Sequence, residues 1–387
     1  MRVPGPPNVA PLTRLSPSQY EAGRACKARL AWATAGRRDE LPDHPKALLG
    51  TCFHAVVEAA ATGRLPREVA ELTGAAARDL FDQLATAAYG RAHGLLRAKY
   101  QSVEVLPYYY LFRERARLLA QRVADGRRPP SPRAGAVGSR EVLSRPLVER
   151  TLTSSDGLLS GRPDYVDLQA CEILDYKTGA ARDDGQAISP AEARQLRLYV
   201  HLALENGLRV SRAVIVRPGG RRAETEVTRS QADAEGRQAR GVLKEFNRTA
   251  DRPFDEVASP SAEACALCPC IPFCEPFWRV ATPVWLETCG THVEGRITDI
   301  TESRIQGVRL LTFLLDVRRG TLEAQRAFVE QVPESWTTTG GCPAPTTGDL
   351  LRIVHGRATL PAAVPVVHVD RTLTSLWTAL PRTAEGP

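Results

Sequence analysis

The spacing of hydrophobic and polar positions along this chain changes character twice. From residue 48 to about 121, Leu, Val, Ala and Phe recur at helical spacing with breaks near Gly63 and Gly94, so this stretch reads as a block of helices. Ahead of it, Leu15-Ser16-Pro17-Ser18 offers a cap and a first-turn proline to a helix that carries Tyr20, Cys26 and Leu30. Residues 127–138, with Pro129, Pro130 and Pro132, read as a linker. The period then shortens to that of strands at 141–148, 162–168 and 171–176. An amphipathic helix is expected at 191–204, two further strands at 213–217 and 224–228, and another helix at 231–246. The sum is an α/β layer in which helices flank about five strands.

From Pro283 onward the strand period returns, at 291–300, 308–317, 349–355 and 366–369, separated by glycine turns and with little helix. Short strands of this kind predict a small C-terminal all-β domain, for which an OB-type barrel is the expected form. The expected division is a flexible N-terminus at 1–14, one large domain at 15–279 and the β domain at 280–387.

With 43% hydrophobic and 25% charged residues among 387, a wholly disordered chain is excluded. A formal net charge of +7 suits a polyanionic partner without requiring one. No apolar run is long enough to span a membrane, and the proline-rich start lacks a secretory core, so a cytoplasmic protein is expected. In a reducing compartment its nine cysteines are not a disulfide framework, and clustered ones point to metal or redox chemistry. Cys265, Cys268, Cys270 and Cys274 cluster; Cys26, Cys52, Cys171, Cys289 and Cys342 are scattered.

Candidate chemistry begins at Gly161-Arg162-Pro163-Asp164, followed by an apolar strand, a turn, and Ile173-Leu174-Asp175-Tyr176-Lys177-Thr178-Gly179. Residues two apart on a strand face one side, so Asp175 and Lys177 project together and a neighbouring strand can bring Asp164 beside them. Carboxylate oxygens suit hard ions such as Mg²⁺, and a lysine beside such an ion can orient or deprotonate water or stabilise developing charge. An isolated Asp-x-Lys is more often a solvated surface pair. Here the two segments together resemble the PD-(D/E)XK nucleases, in which an acid on one strand precedes D/E-x-K on the next.

Two further segments resemble the RecB-like branch of that superfamily. Gln195-Leu196-Arg197-Leu198-Tyr199 resembles its Q-x-x-x-Y signature and sets Gln195 and Tyr199 on one helical face. Gly50 to Glu58, with His54 at its centre, resembles its G-x-x-x-H-x-x-x-E segment, whose histidine contributes to the metal site. Glu58 could hold His54 or sit on the rim, and Glu141 is another possible acidic neighbour. Cys26 before the core, with Cys265, Cys268 and Cys274 after it, resembles the iron–sulfur staple of many members, and Cys270 could stand in for Cys268.

The resemblance implies a restriction-endonuclease-like core with a helical insertion, catalytic Asp164, Asp175, Lys177, Gln195 and Tyr199, and Mg²⁺ or Mn²⁺ at His54, Asp164 and Asp175. It implies a 4Fe-4S cluster on the four cysteines; thiolates alone equally admit Zn²⁺. The implied activity is cleavage of DNA, single-stranded or at ends, in repair, recombination, CRISPR adaptation or phage defence. No glycine-rich phosphate loop ending in Gly-Lys-Ser/Thr is present, so unwinding would come from a helicase or other partner. The competing expectation is a non-catalytic iron–sulfur scaffold subunit that binds DNA or such a partner.

Overall fold

The computed structural model describes residues 4–37, 40–41, 44–66, 69–125, 146–177, 188–217, 221–339, 342–359, 364–370 and 374–379. The linker read at 127–138, and Glu141 with most of the strand expected around it, lie outside them.

Helices α1 (Pro17–Ala25) and α2 (Lys27–Thr34) open the fold and are joined by Cys26 alone. Ser16 caps α1 through a capping box with Gln19, as its position before Pro17 predicts. The long helices α3 (Pro45–Thr62), α4 (Ala70–Arg91) and α6 (Tyr109–Asp125) follow, with the short α5 (Gly94–Lys99) between the last two. Gly63 ends α3 in the left-handed conformation that stops a helix, which is the break seen in the sequence.

Strands β1 (Leu147–Val148), β4 (Tyr165–Asp167), β5 (Glu172–Tyr176), β6 (Arg212–Val216) and β7 (Arg222–Glu226) form one sheet in the order β1-β4-β5-β6-β7. β2 (Leu152–Thr153) and β3 (Ser160–Gly161) make a separate small hairpin. β5 and β6 are parallel and joined by α7 (Pro190–Glu205), and the other pairs in this sheet are antiparallel. α8 (Arg229–Asn247) packs on α7 and α1.

All five residues of β5 are buried, so helices must cover both faces of this sheet. Ile173, Ala213 and Ile215 pack with Leu196, Tyr199 and Leu202 of α7 on one face. Leu174, Tyr176 and Val214 pack with Phe53, Phe81 and Phe112 on the other. The helical block is thus the second cover of the sheet, with a core of its own.

Short helices α9 (Phe254–Val257), α10 (Ala262–Cys265), α11 (Glu275–Val280) and α12 (Leu286–Cys289) lead into the C-terminal sheet. Its strands are β8 (Thr291–Ile305), β9 (Val308–Gly320), β10 (Arg326–Pro333), β11 (Leu350–Thr359), β12 (Val366–His368) and β13 (Ser375–Ala379), with α13 (Glu334–Thr337) after β10. β12 pairs with both β10 and β11, so β8-β9-β10-β12-β11 closes into a ring and β13 adds to the outside of β11. Apolar alternation ends before residue 301, yet β8 and β9 run on as an exposed ladder to a two-residue turn at Gln306 and Gly307, both with positive φ. Sequence periodicity also missed β10 and β13. No helix among the described residues is long and apolar enough to cross a membrane.

A buried ionic network ties this ring to the segment behind it. Arg352 of β11, 3% exposed, donates to Glu294 at 2.7 Å, to the Pro272 carbonyl at 2.6 Å and to Glu275, and lies 5.1 Å from the Trp278 ring centre. Arg319 adds bonds to Glu294 at 2.6 Å and Glu275 at 3.1 Å. Replacing Arg352 by Met leaves a buried carboxylate short of a partner, for which about 3 kcal/mol of destabilisation is expected. Urea unfolding followed by tryptophan fluorescence should show a lowered midpoint. Arg326→Met, which breaks the exposed 3.4 Å pair with Asp316, should not move it. Equal midpoints for both variants would remove the network from the account.

Candidate metal centre

The site grows from the pairing of β4 with β5. Their register sets Tyr165 opposite Leu174, which brings Asp164, one residue before β4, across from Asp175. Asp164 Oδ2 then accepts a bond from the Tyr176 amide at 2.6 Å, fixing its rotamer. Lys177 continues β5 by donating its amide to the Val216 carbonyl and returns to the face of Asp175.

Asp175 is 4% exposed, and a carboxylate so placed needs compensation. Lys177 Nζ lies 2.7 Å from its Oδ2, and Gln195 Nε2 donates to its Oδ1 at 3.1 Å. The Gln195 carbonyl accepts from Lys177 at 2.9 Å, and its amide lies 3.3 Å from the Tyr199 hydroxyl. A capping box at Ser189 and Glu192, with Pro190 in the first turn, fixes the start of α7 and so the face that carries Gln195 and Tyr199. Burial, then the Asp175 charge, holds the Tyr199 phenol above its usual range, so it stays neutral.

From the other side α3 delivers His54, whose Nδ1 lies 3.4 Å from Asp164 and 3.8 Å from Glu149. Among the described residues, His54, Glu149 and Asp164 form the one group of three whose ligand atoms all lie within 4.8 Å of one another. Burial works against the charged imidazole, but the carboxylates of Asp164, Glu149 and Asp175 outweigh it and raise its pKa. Burial, then the Asp164 charge, pushes Glu149 up to about 7. Burial also raises Asp175, against the pull of Lys177. Crowded acids that resist ionising are what a divalent cation would relieve.

Glu149 is the acid that sequence reading missed. It sits just past β1 at φ 48°, a costly conformation for a non-glycine residue, and its amide bonds the Asp164 carbonyl at 3.1 Å. Its signal was an acid closing a short apolar run, Pro146-Leu147-Val148. Arg162 was also missed: its guanidinium spans Glu149 at 2.8 Å and Glu58 at 3.0 Å. Glu58 therefore lies on the rim, with Arg64 at 3.1 Å, while His54 turns to the carboxylates.

A second constellation lies apart from this one. Cys26, Cys265, Cys268, Cys270 and Cys274 line one narrow cleft with Arg29 and Phe277, and all five are buried. Cys26 Sγ accepts the Ser259 amide at 3.4 Å. A hydrogen bond from Cys270 brings Cys268 down to about 7, while burial pushes Cys274 up to about 12. Cys289, scattered in sequence, is also buried and close enough for its charge to act on Cys265. Cys342 is not among the cleft residues. Five buried thiols lining one cleft are a donor set that fits a thiolate-bound metal group.

A family model described as PD-(D/E)XK nuclease superfamily matches residues 14–275, more than half of the chain, and comparison with curated proteins gives no match.

The geometry predicts which acids govern divalent-ion affinity. Isothermal titration with Mn²⁺ should show affinity falling at least about tenfold in Glu149→Gln and in Asp164→Asn. His54→Ala should weaken binding in the same direction. Glu58→Gln, on the arginine-paired rim, should bind as the parent does; a loss there equal to that of Glu149→Gln would mean that the ion sits elsewhere.

Proposed function

This chain belongs to the PD-(D/E)XK nuclease superfamily, which implies metal-dependent nuclease activity, and from that premise we propose a RecB-like DNA nuclease that hydrolyses phosphodiester bonds in single strands or at ends. The observation that carries this reading is the convergence of His54, Glu149 and Asp164 on one side of a lysine held by Asp175 and Gln195. Intact Asp164, Asp175 and Lys177 favour catalysis over a scaffold role.

His54, Glu149 and Asp164 would hold the ion, with Asp175 adjoining. When bound, Mg²⁺ or Mn²⁺ supplies Lewis acidity at the scissile phosphate and lowers the pKa of a coordinated water. Lys177 has two partners that fix its ammonium, so it is placed to orient the attacking water or to donate to a phosphate oxygen as charge develops. Gln195 and Tyr199 act as positioning residues for Lys177 and Asp175. Arg162 at the rim adds a cation where a phosphate backbone would approach.

The same reading assigns the cysteine cleft to a 4Fe-4S cluster on Cys26, Cys265, Cys268 and Cys274, with Cys270 beside Cys268 as the alternate ligand. It divides the chain into a nuclease domain at 15–279 and a β domain at 280–387, in a reducing compartment that keeps the thiols available. For the β domain we propose an OB-type barrel: five strands close with β10 and β12 parallel, and α13 follows the third strand.

Two measurements test the assignment. Lys177→Ala and Asp175→Ala should each lower Mn²⁺-dependent cleavage of labelled DNA by at least about 100-fold while circular dichroism shows the fold retained. Undiminished turnover in either variant would remove it from the chemistry. Anaerobically purified protein should carry about four irons per chain. Cys26→Ser and Cys274→Ser should lose iron, colour and thermal stability, and Cys342→Ser should lose none. One zinc and no iron would reject the cluster while leaving the nuclease reading in place.

A further inference from the structure

A cavity of about 820 Å³ lies apart from the carboxylate site and borders the cysteine cleft, with which it shares Cys268. Its walls come from the start of α3, α5, Tyr108 just before α6, the cysteine-bearing loop at Leu267 to Pro269, and the β11–β13 edge of the C-terminal ring. Most of the lining is apolar, and its charge is concentrated on Lys46 and Lys99, opposed by Asp370.

Lys46 Nζ stands 4.4 Å from the centre of the Tyr108 ring. Tyr108 is 45% exposed and adopts φ 71°, a costly backbone conformation for an aromatic residue and one associated with functional sites. Leu267, which also lines the cavity, is 70% exposed. Lys99 donates to the Thr374 carbonyl and lies 4.9 Å from the Trp336 ring centre, and burial lowers its pKa only to about 8. Burial lowers His44 as well, and takes His355 down to about 4, so at neutral pH the histidines add no charge. Residue 45 is proline, and the Lys46 amide is taken by His44 Nδ1, so an anion here would meet lysine ammonium groups rather than free backbone donors at the start of α3.

An apolar pocket with an exposed aromatic ring and two ammonium groups is the chemistry that holds a base and its phosphate. Its volume admits a small-molecule-sized unit and not a duplex. Position then selects the source of that unit. Ala47, which lines the cavity, shares one face of α3 with exposed Thr51 and with His54 and Glu58 at the carboxylate site. The seven steps from Ala47 to His54 rise roughly 10 Å along the helix, the length of a short stretch of extended strand.

We propose that this cavity is a nucleotide subsite, in which Tyr108 and the apolar wall receive a base, and Lys46 and Lys99 a phosphate, of the single strand whose cleaved bond lies at the His54–Asp164 centre. The proposal rests on the nuclease reading, and it gives that reading a single-stranded substrate entering along α3.

The test uses the full chain. Binding of a labelled single strand of about ten nucleotides is measured by anisotropy in EDTA, and Mn²⁺-dependent hydrolysis of thymidine 5′-p-nitrophenyl phosphate, a diester that needs only the metal centre, is measured separately. Lys46→Glu and Tyr108→Ala should each weaken strand binding by about tenfold or more and leave turnover of the small ester unchanged. Lys244→Glu, an exposed charge on α8, should affect strand binding far less. Unchanged strand binding in both cavity variants overturns the subsite. So does thymidine monophosphate competing as tightly as the strand, which would make the cavity an independent nucleotide site. If the parent protein hydrolyses neither the ester nor DNA, the nuclease reading fails, and the binding arm in EDTA still decides the cavity.

Discussion

A carboxylate on a strand buried from both sides is the constraint around which this molecule is arranged. Asp175 ends up 4% exposed because β5 runs through the middle of its sheet with helices against each face. Left unpaired there, the charge would cost several kcal/mol, so it must be neutralised or compensated. Lys177 and Gln195 supply the compensation, and in doing so they fix one another and Tyr199. The helices that desolvate the acid are also those that deliver its neighbours, α7 with Gln195 and α3 with His54. Burial and assembly of this group are one event, which is why it sits at the end of the central strand and not on a peripheral loop.

The cysteine cleft is held from outside by a comparable device. Glu275 directly follows Cys274, and the Pro272 carbonyl lies between Cys270 and Cys274 in the chain. Both are bonded by Arg352 of the C-terminal ring, whose other partner, Glu294, is itself buried. A guanidinium suits this post because its planar fork serves several acceptors in fixed directions, where a lysine would act as a point charge. The apolar core is continuous across the same boundary, from Ile271, Phe277 and Trp278 to Val293 and Phe313. The C-terminal ring is therefore mechanically part of the cysteine segment's surroundings.

What could be read in the sequence was what local periodicity determines. The two-residue strand repeat sets Asp175 with Lys177 and the four-residue helix repeat sets Gln195 with Tyr199, while Asp164 and the grouping of the five came from the motif resemblance; the structure brings all five together. Cys26 was expected on or near a helix and occupies the single-residue joint between two. Glu149 escaped because its approach to Asp164 depends on β1 pairing with β4 and on a positive-φ corner, and neither leaves a local mark. Cys289 escaped because sequence separation hid its nearness to Cys265. The closed ring was only half legible: β10 reads as a mixed polar segment, and the parallel β10–β12 pair that shuts the ring is a long-range event.

The joint at Cys26 also has a consequence in time. α1 and α2 pack against elements made much later; the Tyr20 hydroxyl, for example, bonds Glu235, 215 residues further along. At ~5–20 residues per second a ribosome needs roughly 10–40 s to reach that partner. Throughout that interval Tyr20, buried in the finished protein, has no α8 to cover it, and Trp32 lacks Phe273, whose ring centre lies 4.5 Å away in the finished fold. These two helices are thus made long before they find their place, and until α8 and the cysteine segment arrive the nascent chain carries an uncovered apolar segment.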